Sequence, residues 1–224
     1  MSYDWDFGVL WEYRGLLAQG VLMTAKIVAL SVVLGILIGM LLTPLRMSER
    51  IWLRWPATAM IEVFRSCPPL VLVVWTYYCL PIIAGLTLPA YWTCVFAISV
   101  YSGVYFAEIF RSGVQAVDRG LVEAAQSVGM PRWRILHRIV LPLAFLRIMP
   151  PFTGQCIMAI KNSVLGSYIA VGEILYEGQR LSTHSFRPLE VLSFVAFFFI
   201  CTIMPLSLIA GAIERKIHRR YFRR

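Results

Sequence analysis

Five ionisable side chains sit inside apolar runs of this sequence: Lys26, Glu62, Arg65, Glu108 and Lys161. A charge at membrane depth costs roughly 2.5–3.5 kcal/mol on insertion scales, so it faces protein or water rather than hydrocarbon. Such groups either touch a polar solute or tie helices together by ion pairing. Lys26 lies near the end of its run, where a long side chain can snorkel to the surface. Glu62 and Arg65 are three residues apart and suit a local pair, as do Glu108 and Arg111. Lys161 is flanked by polar Asn162, Ser163 and Ser167. A helix interrupted at mid-membrane is a common place for solute contacts. Lys161, Asn162, Ser163 and Glu108 are therefore the expected path-lining residues, with a buried polar network between helices as the alternative. Tyr101, Ser102 and Tyr105 are secondary candidates.

Covalent chemistry is not expected. Ser163, Ser167 and His184 are present, but no G-x-S-x-G elbow accompanies them. No G-x-x-x-x-G-K-[ST] phosphate loop exists either, so this chain is not expected to hydrolyse ATP. Cys67, Cys79, Cys94, Cys156 and Cys201 form no C-x-x-C pair and lie in or beside apolar runs. They read as small hydrophobes, with neither a disulfide nor a metal site expected.

The elements that must position these groups follow from composition. Of 224 residues, 59% are hydrophobic, and the mean hydropathy is +0.72. That excess over a soluble domain must face lipid. Five stretches are long and apolar enough to span: about 20–43, 56–83 (broken by Pro68-Pro69), 89–110, 144–175 (irregular, with Pro150-Pro151) and 190–213. The expected fold is a single all-α membrane domain over 1–224, a bundle of five transmembrane helices. Gly35 and Gly39 form a G-x-x-x-G in the first span, which permits close helix approach. The start, MSYDWDFGVLWEYRG, lacks the basic region of a cleaved signal, so the first span is expected to stay in the mature protein.

The net charge of +9 raises nucleic-acid binding, but its placement argues against it. Basic residues gather at Arg46, Arg50 and Arg54, at Arg111, Arg119, Arg132, Arg134 and Arg138, and in the tail from Arg215 to Arg224. That alternation puts the N-terminus outside and the 44–55 connection, the 111–143 loop and the tail inside. The 176–189 connection then falls outside, and the basic tail can meet anionic headgroups of the lipid bilayer.

The most informative segment is EAAQSVGMPRWRILHRIVLP, residues 123–142. Glu123 to Val128 suits a short helix whose small side chains let another surface approach. Gly129 can supply a left-handed cap, and Pro131 fits the first turn of a second helix. Leu141-Pro142 should end that element before the next span. A helix–turn–helix beneath a membrane bundle suits a docking knob for a cytoplasmic partner.

Glu123, Ala124, Ala125, Gly129, Ile139, Leu141 and Pro142 match without a gap the EAA loop of ABC importer permeases. EVFRSCPPLVLVVW (62–75), GVYFAEIFRSGVQAVDRG (103–120) and IMAIKNSVLGSYIAVGEI (157–174) resemble matching stretches of the polar amino-acid permeases, so the likeness covers about 15–215. It implies an ABC type I importer-like permease of a bacterial inner (plasma) membrane, carrying amino acids or similar small polar solutes. The implied partners are a cytoplasmic ATP-binding subunit that binds ATP and Mg, a second permease subunit (same or related chain) and an extracytoplasmic solute-binding protein. No cofactor is expected in this chain. Coupling to the ATPase would fall to Glu123 as a helix N-terminal charge, to Ala124 and Ala125 as close-packing residues and to Gly129 as the turn.

Two departures from the group's pattern leave the solute open. Ser66-Cys67-Pro68 stands where Gly-Thr-Pro is usual, and Asn162-Ser163-Val164-Leu165 where an Asp-Thr-Ser-Leu type sequence is. Opines and modified amino acids remain within range. The alternative class, a secondary transporter or channel for small polar solutes, would share the hydropathy without needing a Gly-centred docking loop.

Overall fold

A computed structural model describes residues 4–221, with side-chain surroundings as far as 216. In chain order the helices are α1 (Gly8–Glu12), α2 (Arg14–Arg46), α3 (Ile51–Ser66), α4 (Pro69–Tyr78), α5 (Leu80–Ala84), α6 (Ala90–Gln115), α7 (Arg119–Ser127), α8 (Arg132–Ile135), α9 (Leu141–Asn162), α10 (Ile174–Ser185) and α11 (Pro188–Tyr221). A π-helical turn, Leu136–Val140, joins α8 to α9, and a 3₁₀ stretch, Ser163–Ile169, follows α9.

The core is the pairing of α2 with α6. The buried positions of α2 are Leu17, Gly20, Thr24, Ile27, Ser31, Gly35, Gly39 and Leu42. Their three- and four-residue steps make one stripe on a 3.6-residue helix. The G-x-x-x-G is an intrachain contact: a Cβ on Gly39 would lie 2.7 Å from the Phe106 Cβ, and one on Gly103 would lie 2.7 Å from the Ile38 Cβ. Thr43 fastens the same crossing, its hydroxyl 2.7 Å from the Gly39 carbonyl and 3.2 Å from that of Ala107. Two-thirds of the most apolar window of α6 is buried (67%), against 22% or less in the other long helices. α6 is the axis, and the others present most of their surface outward, as lipid-facing helices do.

α9 runs antiparallel to α6. Ala144 and Ile148 face Gly113, Phe152 stacks near Phe106 (5.1 Å), and Gly166 lies against Cys94. The fourth span differs from its sequence reading in three ways. It begins at Arg132, so Leu141-Pro142 does not end an element. The wider π turn just before Pro142 accommodates a residue that has no N–H to give. Pro150-Pro151 lie within α9 without breaking it. The break falls instead at the 3₁₀ stretch, which ends on Ala170 at φ 57°.

The second span is sharply bent. Among the described residues four helices or helix runs are long and apolar enough to cross a membrane, and α3 with α4 makes a fifth only as a pair bent by 103°. Cys67 and Pro68 are extended at the break, as a residue before proline prefers. α4, at ten residues, is about 15 Å long, half the hydrocarbon thickness. The 176–189 connection is mostly helix rather than loop, because α10 packs an apolar face (Ile174, Gly178, Leu181) on Val191 and Val195 of α11 and on α2. The side chains of Arg219 and Arg220, and all of Arg223 and Arg224, lie outside the described residues. The five cysteines are unpaired.

Candidate functional site

At the basic end of the bundle, α7 and α8 form a knob, with α7 packed on α8 and the π turn. Asp118 caps α7, its carboxylate accepting the Gly120 N–H at 2.8 Å. The helix therefore starts at Arg119, and Glu123 sits in its second turn rather than at its N-terminus. Ala125 is buried; Glu123, Ala124 and Gly129 are exposed.

The turn matches its sequence reading. Gly129 has φ +75°. Its N–H reaches the Gln126 carbonyl (2.9 Å), and Met130 N–H reaches that of Ala125 (3.1 Å), the paired bonds of a Schellman motif. Pro131 lies one residue earlier than expected, at the N-cap of α8. Leu121, Val128, Trp133 and Leu136 are large apolar side chains left exposed on this knob, Val128 to 78%.

Glu108 is the hub of an ionic cluster near the same end. One carboxylate oxygen lies 2.6 Å from Arg46 at the end of α2; the other lies 2.8 Å from Arg111 and 3.9 Å from Arg65. Glu62 on α3 accepts from Arg46 at 2.9 Å and stands 4.0 Å from Arg65. Arg111 also donates to Gln115. Three helices, α2, α3 and α6, are thus joined by charge. The Arg65 guanidinium lies over the Tyr105 ring (5.6 Å), and the Tyr105 hydroxyl is 3.5 Å from that of Tyr101. Arg46 was legible only as an orientation marker; a count of charges needing partners within the apolar runs is the signal that would have found its role.

The expected path residues do not form one group. Glu108 is level with Phe106 and Phe152, whereas Ser163 closes α9 near Cys94. Fourteen residues of α6 separate Cys94 from Glu108, about 21 Å. Lys161 is exposed, while Asn162 and Ser163 are buried on the other side of the helix end. The Ser163 hydroxyl donates to its own Ile160 carbonyl at 2.8 Å. Along this segment Lys161 points outward and its two neighbours do not.

Beyond that break, Glu173 caps α10, accepting from Leu175 (2.9 Å) and Tyr176 (2.8 Å) while fully buried. Burial pushes its carboxyl up to about 7, the two N–H bonds oppose this, and nearby Glu177 adds to it.

Fold and site together describe a polytopic membrane subunit with an ordered helix–turn–helix knob and an ionic cluster within the bundle. The chain belongs to the family described as the binding-protein-dependent transport system inner membrane component, whose pattern matches residues 31–223. It is 34% identical over 218 residues to the glutamine transport system permease protein GlnP of Escherichia coli K12, covering 97% of this chain and 99% of that one. It is 28% identical to the arginine transport system permease protein ArtQ of Bacillus subtilis, over 95% and 97%. It is 32% identical to the octopine transport system permease protein OccM of Rhizobium meliloti, over 82% and 78%. Among solved structures, an amino acid ABC transporter crystallised with histidines superposes with a TM-score of 0.89 at 29% identity, over 96% of this chain and all of that one. The chain is therefore an ABC importer permease subunit and a multi-pass inner-membrane protein.

Proposed function

We propose that this permease admits amino acids or closely related solutes, with its N-terminus outside and its tail in the cytoplasm. The names of its relatives support the solute class, and the basic residues gathered at the knob end support the orientation. A second permease subunit completes the path. An extracytoplasmic binding protein delivers solute, and a cytoplasmic subunit binds ATP and Mg.

The carrying observation is the knob. A Gly129-centred turn presents Glu123, Ala124 and Gly129 together with exposed Leu121 and Val128 ahead of the fourth span, and with exposed Trp133 and Leu136 at its foot. Exposed apolar groups on an ordered cytoplasmic element fit a protein groove. Closure of the ATPase pair would tilt the knobs and shift the bundles between outward- and inward-facing states.

The test is uptake of a labelled panel of amino acids and derivatives by cells with the chain intact, deleted, or carrying Gly129→Asp. The proton gradient is collapsed while ATP is maintained. Loss of one solute class in both altered strains, with uptake by the intact strain surviving collapse, is the expected result. Uptake that vanishes with the gradient, or ignores Gly129→Asp, would overturn the reading.

A further inference from the structure

The ionic cluster is built unevenly. Arg46, Glu108 and Arg111 make its contacts of 2.6–2.8 Å with side chains 15%, 16% and 26% exposed. Arg65 and Glu62 differ. Their side chains are 37% and 52% exposed, and Arg65 comes no nearer than 3.9 Å to either carboxylate. Both ionic contacts of Glu62 run through Oε1, so Oε2 takes part in neither. The cluster therefore turns one loosely held cation and one half-engaged carboxylate, 4.0 Å apart, toward the same side.

Charges this exposed are not left in hydrocarbon, so within a membrane that side is met by water or by another protein surface. Its depth is also informative. α6 spans 26 residues, about 39 Å; Tyr105 lies just past its midpoint toward the knob end, while Glu62 reaches Arg46 at the end of α2, so the pair runs from the bundle interior toward the knob end. The Arg65 guanidinium rests over the Tyr105 ring, which orients a planar donor without using its N–H groups.

We infer that Arg65 and Glu62 form the contact site for the zwitterionic backbone of the solute, Arg65 taking the carboxylate and Glu62 the ammonium. The match is one of charge, spacing and exposure. A guanidinium offers paired donors to a carboxylate. A carboxylate oxygen beside it takes an ammonium, and the two ligand charges, held on one Cα, are close enough for both to be met by a pair of protein charges 4.0 Å apart. Arg46, Glu108 and Arg111 hold the pair in place. The site reads what amino acids share and leaves side-chain selection to other surfaces. This inference rests on the amino-acid reading above.

The test is equilibrium binding to the permease–ATPase complex in lipid nanodiscs, without a binding protein. The probes are the radiolabelled amino acid that the cells take up, its decarboxylated amine and its N-acetyl derivative. Wild-type complex should bind the zwitterion at least about tenfold more tightly than either analogue. Arg65→Gln should lose discrimination against the amine while keeping that against the N-acetyl form. Glu62→Gln should do the converse, and Arg65→Lys should retain part of the carboxylate preference. Equal weakening for all three probes, with unchanged ratios, would make the pair purely structural and overturn the site. Absence of zwitterion binding by wild type would overturn it too. Neither result touches the uptake experiment, on which the importer reading stands or falls separately.

Discussion

Arg46, at the last residue of α2, lies 2.6 Å from Glu108 on α6, and both side chains are about 15% exposed. The contact closes the α2–α6 crossing at the end where the glycine stripe stops. Glu108→Gln would leave Arg46 and Arg111 without their shared partner. Removing one member of a largely buried pair costs about 3 kcal/mol. The expected outcome is a lower unfolding temperature in detergent, with a smaller effect for Glu62→Gln, which is half exposed.

Gly129 tests the turn apart from its surroundings. A Cβ there would meet nothing within 4 Å, so only its φ of +75° resists substitution. Gly129→Ala should cost about 1–2 kcal/mol locally, and Gly129→Asn less, since asparagine tolerates the left-handed region. Uptake should follow that order at equal membrane abundance, as measured by transport and immunoblotting.

Gly39 tests the helix crossing. Its Cβ would press on Phe106 at 2.7 Å and on the Ala107 amide at 3.1 Å. Gly39→Ala should destabilise the protein by about 1–3 kcal/mol through overpacking. Thermal unfolding should show the loss, while Gly154→Ala, whose Cβ meets nothing within 4 Å, should show none of that magnitude.

Glu173 gives a pH dependence. Its carboxyl rises from 4.5 to about 7 on folding, so the folded state holds the proton more tightly than the unfolded one. The associated stability is complete below about pH 4.5 and is lost as pH rises through about 7. Unfolding temperatures measured from pH 5 to 8 should fall across that window. Glu173→Gln should flatten the fall.

Long apolar runs announced α2, α6 and α11, and the Gly129 turn was legible because one residue type carries a left-handed φ almost alone. The limits of the fourth span were not legible. Pro142 read as a stop and Pro150-Pro151 as an irregularity within the span, yet a π turn lies just before Pro142 and α9 runs on through Pro150 and Pro151. The true break at Ser163–Ile169 carries no proline. Helix α10 was hidden because its apolar residues are few and need α2 and α11 to define their face. The ionic cluster was visible only in parts. Glu62 with Arg65, and Glu108 with Arg111, are local spacings, whereas their union through Arg46 depends on the α2–α6 crossing. Lys161 drew attention by its charge, but which way it and Asn162 point is set by the helix end, which spacing does not fix.

The unbroken course from Arg132 to Asn162 has a mechanical meaning. The second half of the knob and the fourth span are one rod of 31 residues, about 46 Å long, so a tilt of about 10° at its foot sweeps its far end by about 8 Å. No loop stands between them to dissipate the stroke. The π turn is a compliant joint near the foot of this shaft, and on the proposed coupling its stiffness would set how much of a push at the knob reaches the far end.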